Sequence, residues 1–234
     1  MIEVGPDDDQ LRPAVLLFHG CGGVRRHLHL YAAAAARAGW RAFLIDSYAP
    51  RGWSNRFASH FVCIGLAFRG SARCGDLLAA LQGVSQLPRV DAARLAMAGW
   101  SHGAWAIMDL MTLPLVREGE AGLSDPDPEP LTRVGRVFLA YPYVNVIARS
   151  RSRRWLRAPR VFGVIPRCDH LASVRTHMRA YAAPIAGGSD VELWSVGATH
   201  AFDEPGLKAP EQVMRHDPAL LDEAVKRFEG FLKG

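Results

Sequence analysis

The sequence predicts an α/β fold, a mostly parallel sheet with helices on both faces, on three observations. Short apolar runs alternate with helical segments along the chain, the runs are apolar on both faces, and Gly or Pro punctuates the connections. Strands that read apolar on both faces are those of a parallel sheet covered by helices on each side.

Residues 1 to 12 are polar, and Pro13 to Phe18 reads as a short buried strand ended by His19-Gly20-Cys21-Gly22-Gly23. Three glycines in five residues mark a loop where backbone must approach something closely. An alanine-rich helix runs from His27 to Ala38 and stops at Gly39, the expected residue past a helix end. Trp40 to Asp46 is a second buried strand. Ser47 to Gly70, with Pro50, Gly52 and Gly65 among aromatic and basic residues, reads as a long loop with a short helix over the site. Residues 71 to 86 form the next helix, closed by Pro88. The apolar run from Arg94 to Ala98 then enters Gly99-Trp100-Ser101-His102-Gly103, followed by a helix to Leu113 that Pro114 terminates. Residues 117 to 130 are acidic and carry Pro126, Pro128 and Pro130, which suits a surface excursion within one domain spanning residues 1 to 234. Strands follow at Val134 to Tyr141, Arg160 to Ile165 and Val191 to Val196, with a helix at Leu171 to Ala183. In the last helix Asp217 is the N-cap and Pro218 the first residue, with Leu220, Leu221, Ala224, Val225, Phe228, Phe231 and Leu232 at helical spacing.

Composition narrows the class. A hydrophobic content of 49% and a charged content of 22% are those of a globular chain, not a disordered or fibrous one. No apolar run reaches membrane-spanning length, and the acidic start is unlike a signal peptide, so the expected location is the cytoplasm, with no membrane partner. Cys21, Cys63, Cys74 and Cys168 are widely spaced with no CxxC pair, so no metal site is expected. Unpaired thiols are the expected state, with a Cys63 to Cys74 bridge as the open alternative. The net charge of +5 gathers between Arg149 and Arg160, which reads as a solvated connection; no nucleic-acid motif accompanies it.

The chemistry-bearing stretch is Gly99-Trp100-Ser101-His102-Gly103, a G-x-S-x-G pentapeptide between a strand and a helix. In a nucleophile elbow the serine stands at the tip of a strained turn, and glycines two residues to either side let strand and helix approach. A serine hydroxyl needs an imidazole base, and that base needs a carboxylate to hold its tautomer. Asp169 follows the strand ending at Ile165, and His200 follows the last strand in Gly197-Ala198-Thr199-His200. Acyl transfer also needs two converging backbone N–H groups for the developing oxyanion. They are expected from His102, directly after the serine, and from Cys21 in the glycine loop. The His102 side chain is expected to point away from its neighbour's hydroxyl. Tyr48, Arg51 and Tyr143, in loops after strands, are candidates for lining the substrate pocket.

These residues resemble the α/β-hydrolases and, within them, the dienelactone hydrolase group. The matching pieces are His19-Gly20-Cys21-Gly22-Gly23, Asp46-Ser47-Tyr48-Ala49-Pro50-Arg51-Gly52, the Ser101 pentapeptide, Asp169 and His200-Ala201-Phe202-Asp203. The enzymes that give the group its name use a cysteine nucleophile with a glutamate in the oxyanion loop, where this chain has Ser101 and Gly20. The resemblance therefore implies a serine esterase, lactonase or small peptidase-like hydrolase, in a minimal α/β-hydrolase fold without a separate lid domain and without a cofactor. The expected partner is a small-molecule ester or lactone, cleaved through an acyl-enzyme. A non-catalytic binding protein and an acyltransferase using the same triad are the alternatives.

Overall fold

The structure is a computed structural model, and it describes residues 1–54, 68–144, 147–207, 210 and 213–234. Seven strands form one sheet in the order β1-β3-β2-β4-β5-β6-β7: β1 Ile2–Val4, β2 Arg12–Phe18, β3 Arg41–Ile45, β4 Val90–Trp100, β5 Val134–Ala140, β6 Arg160–Pro166 and β7 Val191–Val196. All neighbours are parallel except β1, which runs antiparallel to β3. The main helices are α1 Arg26–Arg37, α2 Gly70–Ser85, α3 His102–Leu110, α4 Val174–Ala186 and α5 Pro218–Lys233.

Successive side chains of a strand point to opposite faces. On β2, Leu16 and Phe18 enter the core under α2 and α3, while Val15 and Leu17 enter the core under α1 and α5. On β4, Met97 joins the first core, and Ala96, Ala98 and Trp100 join the second. Both faces are therefore dry. Chain direction in the sheet reverses at β2: β3 lies on one side of it, and after α2 the chain returns to place β4 on the other. Ligands of such sheets sit beyond the carboxyl ends of the strands at that switch point. Here those ends are the Gly20–Cys21 loop after β2 and Ser101 after β4.

Two expectations about the fold need correction. The polar lead-in contains β1, whose Glu3 pairs with Phe43. A three-residue edge strand with exposed side chains leaves no apolar period to read, and what holds it lies far away in sequence. The buried Arg41 guanidinium donates to the carbonyls of Pro6, Asp8 and Gln10, so the N-terminal segment wraps a cation. The helix expected from Leu171 begins at Val174 instead. Asp169 Oδ1 accepts the N–H groups of Leu171 (2.8 Å) and Ala172 (3.1 Å), and Ser173 is the N-cap, its hydroxyl accepting from Thr176 N–H.

The remaining expectations fall unevenly on the described residues. Most of the loop from Ser47 to Gly70 lies outside them, as does Cys63. Cys74 is a buried unpaired thiol, so the Cys63 to Cys74 bridge does not form, while Cys21 is disulfide-bonded, against the expectation of unpaired thiols. Pairing is a matter of distance in the fold, which cysteine spacing does not encode. In the 117 to 130 stretch, Ala121 is buried and Leu123 packs on the core. The arginine run is partly engaged: Arg157 donates to the Leu113 carbonyl at 2.7 Å, and Arg149 to Thr112 Oγ1 at 3.3 Å. Among the described residues no helix is long and apolar enough to cross a membrane.

Candidate active site

Ser101 occupies the tip between β4 and α3 at φ 50, ψ −111, a conformation that L residues adopt only under tertiary constraint. Backbone bonds supply the constraint. Ser101 N–H donates to Ala140 O (2.9 Å), and Ser101 O accepts from Trp105 N–H (3.0 Å) and Tyr143 N–H (3.1 Å). A Cβ on Gly99 would lie 2.6 Å from Ala104 N, and one on Gly103 would lie 2.7 Å from His19 O and collide with Phe18 O as well. The obstructing atoms are backbone, so neither can yield cheaply. Gly103→Ala is expected to cost at least about 4 kcal/mol or to prevent folding. Thermal unfolding and soluble yield measure it, and an alanine variant as stable as the parent would refute the close packing of α3 on β2.

Three side chains then stand in series. His200 Nε2 lies 2.9 Å from Ser101 Oγ, and His200 Nδ1 lies 2.8 Å from Asp169 Oδ2. An ionised carboxylate only accepts, so the hydrogen is on Nδ1 and Nε2 is left to accept from the serine hydroxyl. The loops carrying Asp169 and His200 are fastened beyond β6 and β7 by Arg167 N–H to Val196 O (2.8 Å) and Cys168 N–H to Ala198 O (3.0 Å). Burial pushes the Asp169 carboxyl up, but donors from His177, His200 and the Leu171 N–H outweigh it and hold it well below the usual carboxylate range.

The His200 loop is anchored from below by Asp203, a buried carboxylate that accepts from Tyr141 OH (2.5 Å), Tyr31 OH (2.8 Å) and Trp100 Nε1 (3.1 Å). The Tyr141 ring meets the His200 ring edge-on at 4.8 Å. Asp203 thus satisfies the polar tips of aromatic residues from α1, β4 and the end of β5.

The glycine loop lies against the serine, a Cβ on Gly20 falling 3.4 Å from Ser101 Cβ. Its peptide orientation has a cause in His19. The buried His19 ring accepts Ser47 N–H at Nε2 (3.2 Å), which leaves Nδ1–H to donate to Gly20 O (2.6 Å). In a trans peptide the C=O and the following N–H point opposite ways, so fixing the Gly20 carbonyl fixes the direction of the Cys21 N–H. The second arm is the start of α3, where the first N–H groups take no intrahelical partner. The His102 ring is fully used elsewhere: Nε2–H donates to Phe68 O (2.7 Å) and Nδ1 accepts from Arg73 Nη1 (3.3 Å). Burial first, and the Arg73 charge second, pull the His102 imidazole down to about 3. It is therefore neutral and is no base for Ser101. Arg73, itself buried, also donates to His19 O (2.8 Å) and Ser47 Oγ (3.0 Å), so one guanidinium ties both arms together.

The three pocket candidates are placed differently. Tyr143 sits beside Ser101 through its backbone bond, its ring on Trp105. Tyr48 is buried behind the glycine loop, its hydroxyl donating to Cys21 O (3.3 Å), and burial pushes it up to about 12. Arg51 pairs with both Asp76 oxygens at 2.8 Å and lines a cavity of about 410 Å³ with Ile45, Asp46, Ser47, Pro50 and Asp76, away from Ser101. His19, Arg73, Asp203 and His177 escaped the reading of the sequence for any role in the site. Only His19 and Asp203 carried a signal, each standing inside a quoted motif.

With this geometry in hand, comparison with solved structures defines the fold. The chain superposes on esterase 2 of Thermogutta terrifontis in its tabun-phosphoramylated form with a TM-score of 0.70 at 17% identity, covering 98% of this chain and 87% of that one. The propionate-bound esterase gives 0.67 at 16% identity with the same coverages. A protein described as a dienelactone hydrolase from Klebsiella pneumoniae gives 0.68 at 15% identity, covering 98% and 90%. No protein-family model matches the sequence, and no curated protein matches it. The chain therefore has the α/β-hydrolase fold. Within it, the structure is similar to that of esterases and a dienelactone hydrolase-like protein, with no separate lid domain among the described residues.

Proposed function

We propose that this chain is a serine hydrolase that cleaves a small carboxylic ester or lactone through an acyl-enzyme. The observation that carries the reading is the unbroken series Ser101 Oγ to His200 Nε2 (2.9 Å) and His200 Nδ1 to Asp169 Oδ2 (2.8 Å). In it Ser101 Oγ attacks the carbonyl carbon as its proton passes to His200 Nε2. Asp169 keeps His200 in the tautomer that can accept and offsets the charge of the imidazolium. The oxyanion is held by the N–H groups of Cys21 and His102. The imidazolium then protonates the departing alkoxide, leaving the acyl group on Ser101. Water, deprotonated by His200, releases the acid and restores the serine.

The solved states of the similar esterase suit this reading, since that protein is phosphoramylated by tabun, phosphorylated by paraoxon and binds propionate and butyrate. For this chain they favour a short acyl group. Fluorophosphonate labelling with mass spectrometry of the modified peptide, followed by hydrolysis of nitrophenyl esters of graded length and of simple lactones, tests the proposal. Modification at Ser101 with faster turnover of short esters is the expected result. A folded sample that takes no label would overturn it and move the binding-protein reading forward.

A further inference from the structure

Asp169 Oδ2 has a second imidazole on it. His177, fully buried on α4, brings Nε2 to 3.3 Å of the same oxygen that His200 Nδ1 approaches at 2.8 Å. The other oxygen is taken by the N–H groups of Leu171 and Ala172. The carboxylate is thus surrounded by donors, and its charge is divided between two rings. His177 Nδ1 is buried without a hydrogen-bond partner. A hydrogen there would be buried without an acceptor, whereas one on Nε2 meets a carboxylate, so the geometry selects the Nε2–H tautomer.

We infer that His177 is a positioning residue: by donating to Asp169 Oδ2 it fixes that oxygen under His200 and draws off part of the charge that would otherwise stabilise the His200 imidazolium. The inference rests on the proposed hydrolase reading for its kinetic consequence, but not for its electrostatic one. The groups that face His200 are Asp169, Ser101, the Tyr141 ring and His170, whose ring lies 6.1 Å away, with the buried Glu204 also within electrostatic reach. Among the described residues only Asp169 bridges the two imidazoles.

The sign follows. Removing the second donor leaves Oδ2 more basic toward His200, favours the imidazolium, and moves the acid limb of kcat/KM upward. His177→Phe is expected to raise that limb by about one pH unit, a tenfold loss of rate on the limb at fixed pH. His177→Gln, whose amide N–H can stand where Nε2–H stood, is expected to stay near the parent. A merely structural histidine would lower stability in both variants and leave the limb in place. An unmoved limb in folded His177→Phe would overturn the inference. Where His177→Phe does not fold, nitrogen NMR of the unmodified protein decides: the hydrogen of His177 must be on Nε2, and finding it on Nδ1 overturns the inference. If Ser101 takes no fluorophosphonate and no ester turns over, the hydrolase reading fails alone. NMR titration of the His200 ring in the parent and the two variants still tests the shared carboxylate.

Discussion

Ser101→Ala is expected to lower ester turnover by about four to six orders of magnitude and to leave the unfolding midpoint within about 2 °C of the parent. The asymmetry follows from what the hydroxyl touches. Its Oγ makes one bond, to His200 Nε2, and the alanine methyl occupies the same space. The strained φ of 50 is set by the bonds of Ser101 N–H and O, which the substitution keeps. Ser101→Gly separates the two properties further. It should be equally inactive yet more stable by about 1 kcal/mol, because glycine adopts the left-handed region without a Cβ penalty. Kinetics with a nitrophenyl ester and thermal unfolding of both variants check the pair. Turnover within about tenfold of the parent in Ser101→Ala would assign the reaction to another nucleophile.

What could be read from the sequence, and what could not, divides along physical lines. β2 to β6 were legible because the buried part of each is an apolar run, and burial on both faces leaves a parallel strand no polar alternative, whereas β7 is an edge strand whose Glu192 and Ser195 are exposed. The placement of Ser101, Asp169 and His200 was legible because each follows a strand, where the chain leaves the sheet. β1 was not, because three half-exposed residues carry no period and the pairing partner is β3. Nor was Arg73, whose bonds to His19 O, Ser47 Oγ and His102 Nδ1 join segments distant in sequence. His177 on its helix reads as one more polar position, and only the fold brings it to Asp169. Cys21 illustrates the same limit, since its neighbours in sequence say nothing of its disulfide. The polar groups behind the site therefore become visible only once the sheet has placed them.

Those buried polar groups predict a stability profile. Burial, assisted by the Arg73 charge, holds His19 well below its ordinary value and His102 down to about 3, so the His102 ring stays uncharged in the folded protein at pH 5. In the unfolded chain both rings titrate near 6.5. Below that pH the unfolded state therefore binds protons that the folded state refuses, and stability falls with pH, by about 2 kcal/mol at pH 5 from His102, with His19 adding a loss of the same sign. Asp109 acts oppositely. Buried against Trp105 and Ser150, it is raised to about 6, so the folded state gains a proton as pH falls through 6 and recovers about 1 kcal/mol by pH 5. Glu204, raised by burial, has the same sign as Asp109. Asp169, held low, stays ionised throughout this window and adds its own loss only where unfolded carboxyls protonate. The histidines prevail, and the unfolding midpoint should drop by about 5 to 10 °C between pH 7 and pH 5. His102→Gln should flatten this dependence by more than half, whatever its absolute stability. Asp109→Asn should steepen it, because the compensating proton uptake is gone. Thermal unfolding of the three proteins at matched ionic strength measures the slopes. A midpoint that rises toward pH 5, or a His102→Gln variant that keeps the full slope, would mean that the two rings behind the glycine loop take up protons in the folded state.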